Sequence, residues 1–153
     1  MNIKIIAISK IKAKSPELDI INEYSKRLKG SSLKIIELEV KNFSNSDDKK
    51  QKEAELMQKH ISNGDYIVCM DEHGDNLTSV EFSNVIKKRQ GQGGDIVFII
   101  GGAFGIHESL LNKANKKIAF GKCTYPHKLL RAMLVEQIYR GFSIINNHPY
   151  HKE

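Results

Sequence analysis

The sequence predicts one α/β domain over residues 1–153, built on a mostly parallel sheet with helices on both faces. Three observations carry this reading. Short β-rich apolar runs alternate with helically periodic segments along the chain. Two of those runs, "YIVCM" (66–70) and "DIVFII" (95–100), are apolar almost throughout, as strands covered on both faces are. The length of 153 residues is that of one ordinary domain, large enough to bury a core without disulfide or metal staples.

The elements follow in order. "NIKIIAIS" (2–9) reads as the first strand. Ser15-Pro16-Glu17 supplies an N-cap, a proline at the first helical position and an acid in the first turn. Leu18, Ile21, Tyr24 and Leu28 then recur at helical spacing up to Gly30. "LKIIELEV" (33–40) is the second strand. A polar stretch leads to Ser46, Asp47 and Asp48, which open a long solvated helix ending near Gly64. After the third strand (66–70), Thr78 and Glu81 form a capping box for a helix to about Arg89. The fourth strand (95–100) runs into "GGAFG", followed by a helix holding Leu110 and Leu111. "KIAF" (117–120) is a short fifth strand, and Pro126 opens a last helix to about Phe142.

Composition narrows the function. The net charge of +6 favours an anionic partner. Cys69 and Cys123 lie far apart outside any CxxC pattern, so reduced thiols are expected. The histidines are scattered without an HExxH pair, and no metal site is expected. No apolar run approaches the ~20 residues of a membrane span, and the apolar start carries Lys4 and resembles no signal peptide. The expected location is cytoplasmic, without a membrane partner.

In parallel sheets ligands bind beyond the carboxyl ends of the strands. That directs attention to "DEHGDNL", "GGAFGI" and "GKCTYP", which follow the third, fourth and fifth strands. The Gly-Gly turn lets backbone approach a ligand closely, although a plain tight turn has the same sequence. The loop after the first strand has no glycine, and there is no GxxxxGK[ST] or GxSxG. Classical dinucleotide, P-loop and serine-hydrolase chemistry are therefore disfavoured or excluded. His127 and Arg131, four apart at the start of the last helix, share a face. The helix dipole favours a neutral imidazole there, able to accept a proton, and Arg131 can hold a phosphate in a bidentate fork. A capped helix start with a solvated arginine is the equally weighted alternative. Lys10, Lys12 and Lys14 form either a solvated loop or a row of phosphate contacts. The last helix is apolar over more than half its circumference, from Leu129 to Phe142. It is sandwiched within its own domain or shared with a second subunit.

"FIIGGAFGI" (98–106), "YPHKLLRAMLVEQIYR" (125–140) and the terminal "NHPYH" (147–151) together resemble the bacterial ribosomal large-subunit pseudouridine N3-methyltransferases of the SPOUT class, the RlmH family. The resemblance spans essentially the whole chain. It implies an α/β domain with a C-terminal trefoil knot, a homodimer with the cofactor pocket against the partner subunit, and S-adenosylmethionine as cofactor. The substrate it implies is a pseudouridine of 23S rRNA within the assembled ribosome. The cofactor loops it implies map onto Met70, Gly101 and Gly102, and Phe120, Gly121, Lys122, Cys123, Thr124 and Tyr125. For catalysis, His127 or His151 is the expected base or orienter. Arg131 and Lys152 would hold phosphate or the anionic ring, and Tyr150 would stack on a base. The terminal "NNHPYHKE" becomes an arm held over the methyl-transfer site. A non-enzymatic basic module that binds ribosomal RNA is the alternative from another class.

Overall fold

The computed structural model describes residues 1–152. Five strands, β1 (Asn2–Ile8), β2 (Ser32–Leu38), β3 (Tyr66–Asn76), β4 (Ile96–Ile100) and β5 (Lys116–Ala119), form one sheet in the order β2-β1-β4-β3-β5. Every neighbouring pair is parallel. Five helices connect or follow them: α1 (Pro16–Arg27), α2 (Ser46–Gln58), α3 (Ser79–Gln92), α4 (Glu108–Leu111) and α5 (His127–Ile145).

Strand alternation divides the core into two layers. Ile96, Phe98 and Ile100 of β4 face one side with Ile3, Ile5 and Val68, against Ile21 of α1, Phe82 and Ile86 of α3, and Leu134, Val135, Ile138 and Phe142 of α5. Val97 and Ile99 face the other side with Ile6, Ile8, Ile67 and Cys69, against Ala54 and Met57 of α2 and Leu110 of α4. All of β4 is buried, which explains its unbroken apolar run. Each such side chain contributes about 1.5–3 kcal/mol by leaving water. Burial within this layer also pushes the Cys69 thiol up to about 12, so it acts as a packing group.

Helix α5 packs against both α1 and α3 on one face of the sheet. The predicted capping box is present: the Thr78 hydroxyl accepts from the Glu81 N–H at 3.2 Å, and the Glu81 carboxylate accepts from the Thr78 N–H at 2.7 Å. Three local expectations are corrected. Ser15 precedes α1 but makes no side-chain cap, leaving Pro16 to pre-set the first turn. α2 opens at Ser46 as expected, capped by Asn45, which accepts from the Asp48 N–H at 2.9 Å. That helix ends at Gln58 and is not wholly solvated, since Glu53, Ala54 and Met57 are buried. The expected loop after Met70 is also different. β3 continues to Asn76, with a register shift between Met70 and Asp75 that re-pairs it to β5. Gly74 permits this, because a Cβ there would lie 2.6 Å from the Ile118 nitrogen.

Candidate functional site

The carboxyl ends of β3, β4 and β5 open into one cavity of about 660 Å³, within the range of small-molecule and cofactor sites. Met70, Gly101, Gly102, Phe120, Gly121, Cys123, Thr124 and Tyr125 all line it, with His127 at the start of α5. Lys122 is exposed and is not among the lining residues. Asp71, Glu72 and Phe104, from the loops the sequence pointed to, also line the cavity, as does Lys50, which the sequence argument did not single out.

The turn after β4 presents backbone rather than side chains. A Cβ on Gly101 would sit 2.8 Å from the carbonyl carbon and oxygen of Gly105. One on Gly102 would sit 2.7 Å from the Glu53 Oε1. Gly105 closes the turn at φ +86°, its N–H donating to the Gly102 carbonyl at 3.1 Å. Gly101→Ala is therefore expected to cost about 1–3 kcal/mol of stability by overpacking. Urea denaturation beside hydrogen exchange over residues 101–106 reads this, and unchanged exchange there would contradict the close packing.

The third wall is fastened across the sheet edge. The Gly121 N–H, at φ +93°, donates to the Asn76 Oδ1 at 2.9 Å, and the Thr124 hydroxyl donates to the Glu72 carboxylate at 3.1 Å. The extended β3 thus supplies both anchors of the loop that follows β5. Burial lowers the pKa of His127, with the Arg131, Lys128 and Lys49 charges adding to the shift. The neutral imidazole is thus favoured, by desolvation first and the neighbouring positive charges second.

Arg131 does not face the cavity. Its side chain is 1% exposed, with the guanidinium donating to Glu37 at 2.7 Å and to the carbonyls of Ser9 and Ile8 at 2.8 and 3.3 Å. Glu37 also accepts from the Ile11 N–H at 2.7 Å. The phosphate fork and the solvated arginine are both corrected, because these groups already engage the fork. Arg131 instead fastens the loop carrying Lys10, Lys12 and Lys14 to α5; all three lysines are exposed.

The C-terminal arm lies elsewhere. The Tyr150 hydroxyl, 2.9 Å from Glu136 and 3.0 Å from the Tyr24 hydroxyl, sits in a cluster with Tyr139 and Arg140. Burial, with the Tyr24 and Glu136 hydrogen bonds, raises its pKa. His151 lies 3.3 Å from Arg140, and Lys152 is exposed. Along α5, Glu136 and Arg140 are about 13 and 20 Å from His127. Within one chain the structure brings His127 to the loops after β3, β4 and β5, but not Tyr150 or His151. An apolar groove of about 470 Å³ runs beside α5, lined by Ile20, Tyr24, Leu77, Phe82, Leu129 and Met133. Leu129 and Ile20 are 39% and 40% exposed there, so the wide apolar arc of α5 does look outward.

Among the described residues no three metal-ligating side chains cluster, and no helix is long and apolar enough to cross a membrane. Comparison with known proteins converges on one family. The model for predicted SPOUT methyltransferases matches residues 1–151. Proteins named ribosomal RNA large subunit methyltransferase H are similar throughout. That of Clostridium tetani is 42% identical, and those of Clostridium botulinum strain Kyoto and Clostridium beijerinckii are 44% and 46% identical. Each match covers 99% of this chain and 100% of the relative. A parallel α/β sheet, a backbone-lined cavity beyond its strand ends and a match over nearly every residue show that the chain belongs to the SPOUT methyltransferase family, and is an enzyme of methyl transfer.

Proposed function

We propose that this chain is an S-adenosylmethionine-dependent methyltransferase acting on N3 of a pseudouridine in 23S ribosomal RNA, presented by the assembled ribosome. The observation that carries the reading is the cavity at the ends of β3, β4 and β5, where Gly101 and Gly102 offer bare backbone and His127 stands at the rim. The names of the similar proteins support ribosomal RNA as substrate. The +6 net charge suits a polyanion.

The residues fit such a cofactor. The backbone of Met70, Gly101, Gly102 and Phe120–Tyr125 would hold the nucleoside, and Asp71 and Glu72 bring acidic groups to a cavity meant for a cation. Bound there, S-adenosylmethionine supplies an already activated methyl group. The chain's own tasks are alignment, worth several kcal/mol, and removal of the ring N3 proton, worth about 10²–10⁴-fold. A neutral His127 can take that proton on a ring nitrogen. The family implies a knotted C-terminal region, and we place the apolar groove beside α5 in a homodimer interface. Tyr150, His151 and Lys152 then reach a cavity from the second subunit.

Labelled-methyl transfer to ribosomes from cells lacking the endogenous enzyme tests the whole reading. The expected result is one methyl group on a pseudouridine of 23S rRNA. Cofactor binding without methyl incorporation would point to a non-catalytic RNA-binding module. His127→Asn is expected to lower the single-turnover rate by about 100-fold or more, the lower end of what a lost general base costs. Because the His127 pKa is lowered from 6.5, the imidazole gains its proton only below that value. The wild-type rate should stay flat on going from pH 8 to 7 and fall on the acid side of 6.5. An unchanged rate for the Asn variant would remove His127 from the chemistry.

A further inference from the structure

Glu53 is a buried acid that the proposed reaction does not use. It projects from the middle of α2, its side chain 4% exposed, behind the Gly101–Gly102 turn. Its Oε1 has no hydrogen-bond partner. The nearest cation is Lys49, at 3.9 Å, too long for a tight pair. Burial raises the Glu53 pKa, against the opposing pull of Lys49 and the Gly102 N–H. The space a side chain on Gly102 would fill is taken by this carboxyl, with Oε1 and Oε2 at 2.7 and 3.0 Å from the Cβ position. Lys49 also lies 4.9 Å from the Phe43 ring centroid and 5.7 Å from that of Phe104, the exposed tip of the same turn. α2 therefore touches the turn at its base and at its tip.

Stability does not call for an acid here. An imperfectly paired buried charge is often replaced without loss by an apolar side chain of similar volume. The other inward residues near it on α2, Ala54 and Met57, are apolar. What the carboxyl supplies is a polar group pressed against the Gly102 backbone, filling the space a side chain there would need.

We infer that Glu53 is a positioning residue: its carboxyl braces the Gly101–Gly102 turn from behind and so sets the backbone that receives the cofactor. The inference rests on the proposed cofactor site. It differs from a packing role in predicting that cofactor affinity and fold stability respond differently.

The test is calorimetric titration of the full-length protein with S-adenosylmethionine, beside thermal unfolding, for wild type, Glu53→Met and Glu53→Gln. Met matches the length without an acceptor; Gln keeps an acceptor oxygen without the charge. The Met variant is expected to unfold at or above the wild-type temperature, yet to bind about tenfold more weakly, as a displaced turn would dictate. The Gln variant is expected within about threefold of wild type. The KM for ribosomes should stay unchanged in both. Wild-type-like binding by the Met variant overturns the inference. So does weakening that tracks a fall in unfolding temperature, failure of the Met variant to fold, or failure of Gln to restore affinity. No binding by the wild type would instead sink the cofactor reading itself.

Discussion

Arg131→Ala should lose about 3–5 kcal/mol of folding stability, the cost of removing one partner of a buried ion pair. That corresponds to a fall of roughly 10 °C in midpoint for a chain this size. The substitution leaves the Ile8 and Ser9 carbonyls without their donor and Glu37 without its cation. It also empties the volume of one of the largest fully buried side chains. Ser9 is held at φ +82°, a region that non-glycine residues leave when their partners are removed. Loss of Arg131 therefore frees the loop that carries Lys10, Lys12 and Lys14. Arg131→Lys should recover only part of the loss, since one ammonium cannot span Glu37 and two carbonyls. Urea denaturation measures this. A loss below about 1 kcal/mol would place the guanidinium in water.

Deletion of residues 147–153 is expected to abolish methyl transfer while leaving cofactor binding within about threefold of wild type. The cavity and its three loops contain none of these residues, so calorimetry should register little. The arm's own contacts are to Tyr24, Glu136, Tyr139 and Arg140 on the α1–α5 face. If the arm serves a second subunit, mixing decides it. Dimers of a His127→Ala chain and a truncated chain hold one site with an intact histidine facing an intact arm. Such mixtures should regain part of the activity that neither variant has alone. Full activity of the truncated homodimer would reduce the arm to a passive tail.

Much of this architecture is legible in the residues. Apolar runs locate the strands, most plainly where burial on both faces leaves nothing else to encode, as in β4. The capping box at Thr78 and Glu81 is local chemistry, readable within four residues. Harder features depend on contacts distant in sequence. β3 extends beyond Met70 because Gly74 meets Ile118, and nothing near Gly74 announces β5. Arg131 belongs inside because Glu37, 94 residues away, awaits it; spacing on its own helix shows only the His127 face. Glu53 hides in a polar helix whose inward stripe is reduced to Ala54 and Met57. That pair, at i and i+3, was the available signal that one side of α2 is buried.

Phe120 stands in the wall of both the cavity proposed for the cofactor and the apolar groove beside α5. If the groove receives a second copy, the two binding events share a side chain and are linked. Whatever free energy the cofactor gains from an assembled dimer, the dimer gains from bound cofactor, in equal measure. Subunit affinity should then rise with cofactor concentration, and cofactor affinity should weaken at protein concentrations low enough to separate the subunits. Saturation with cofactor and assembly would be one equilibrium seen from two sides.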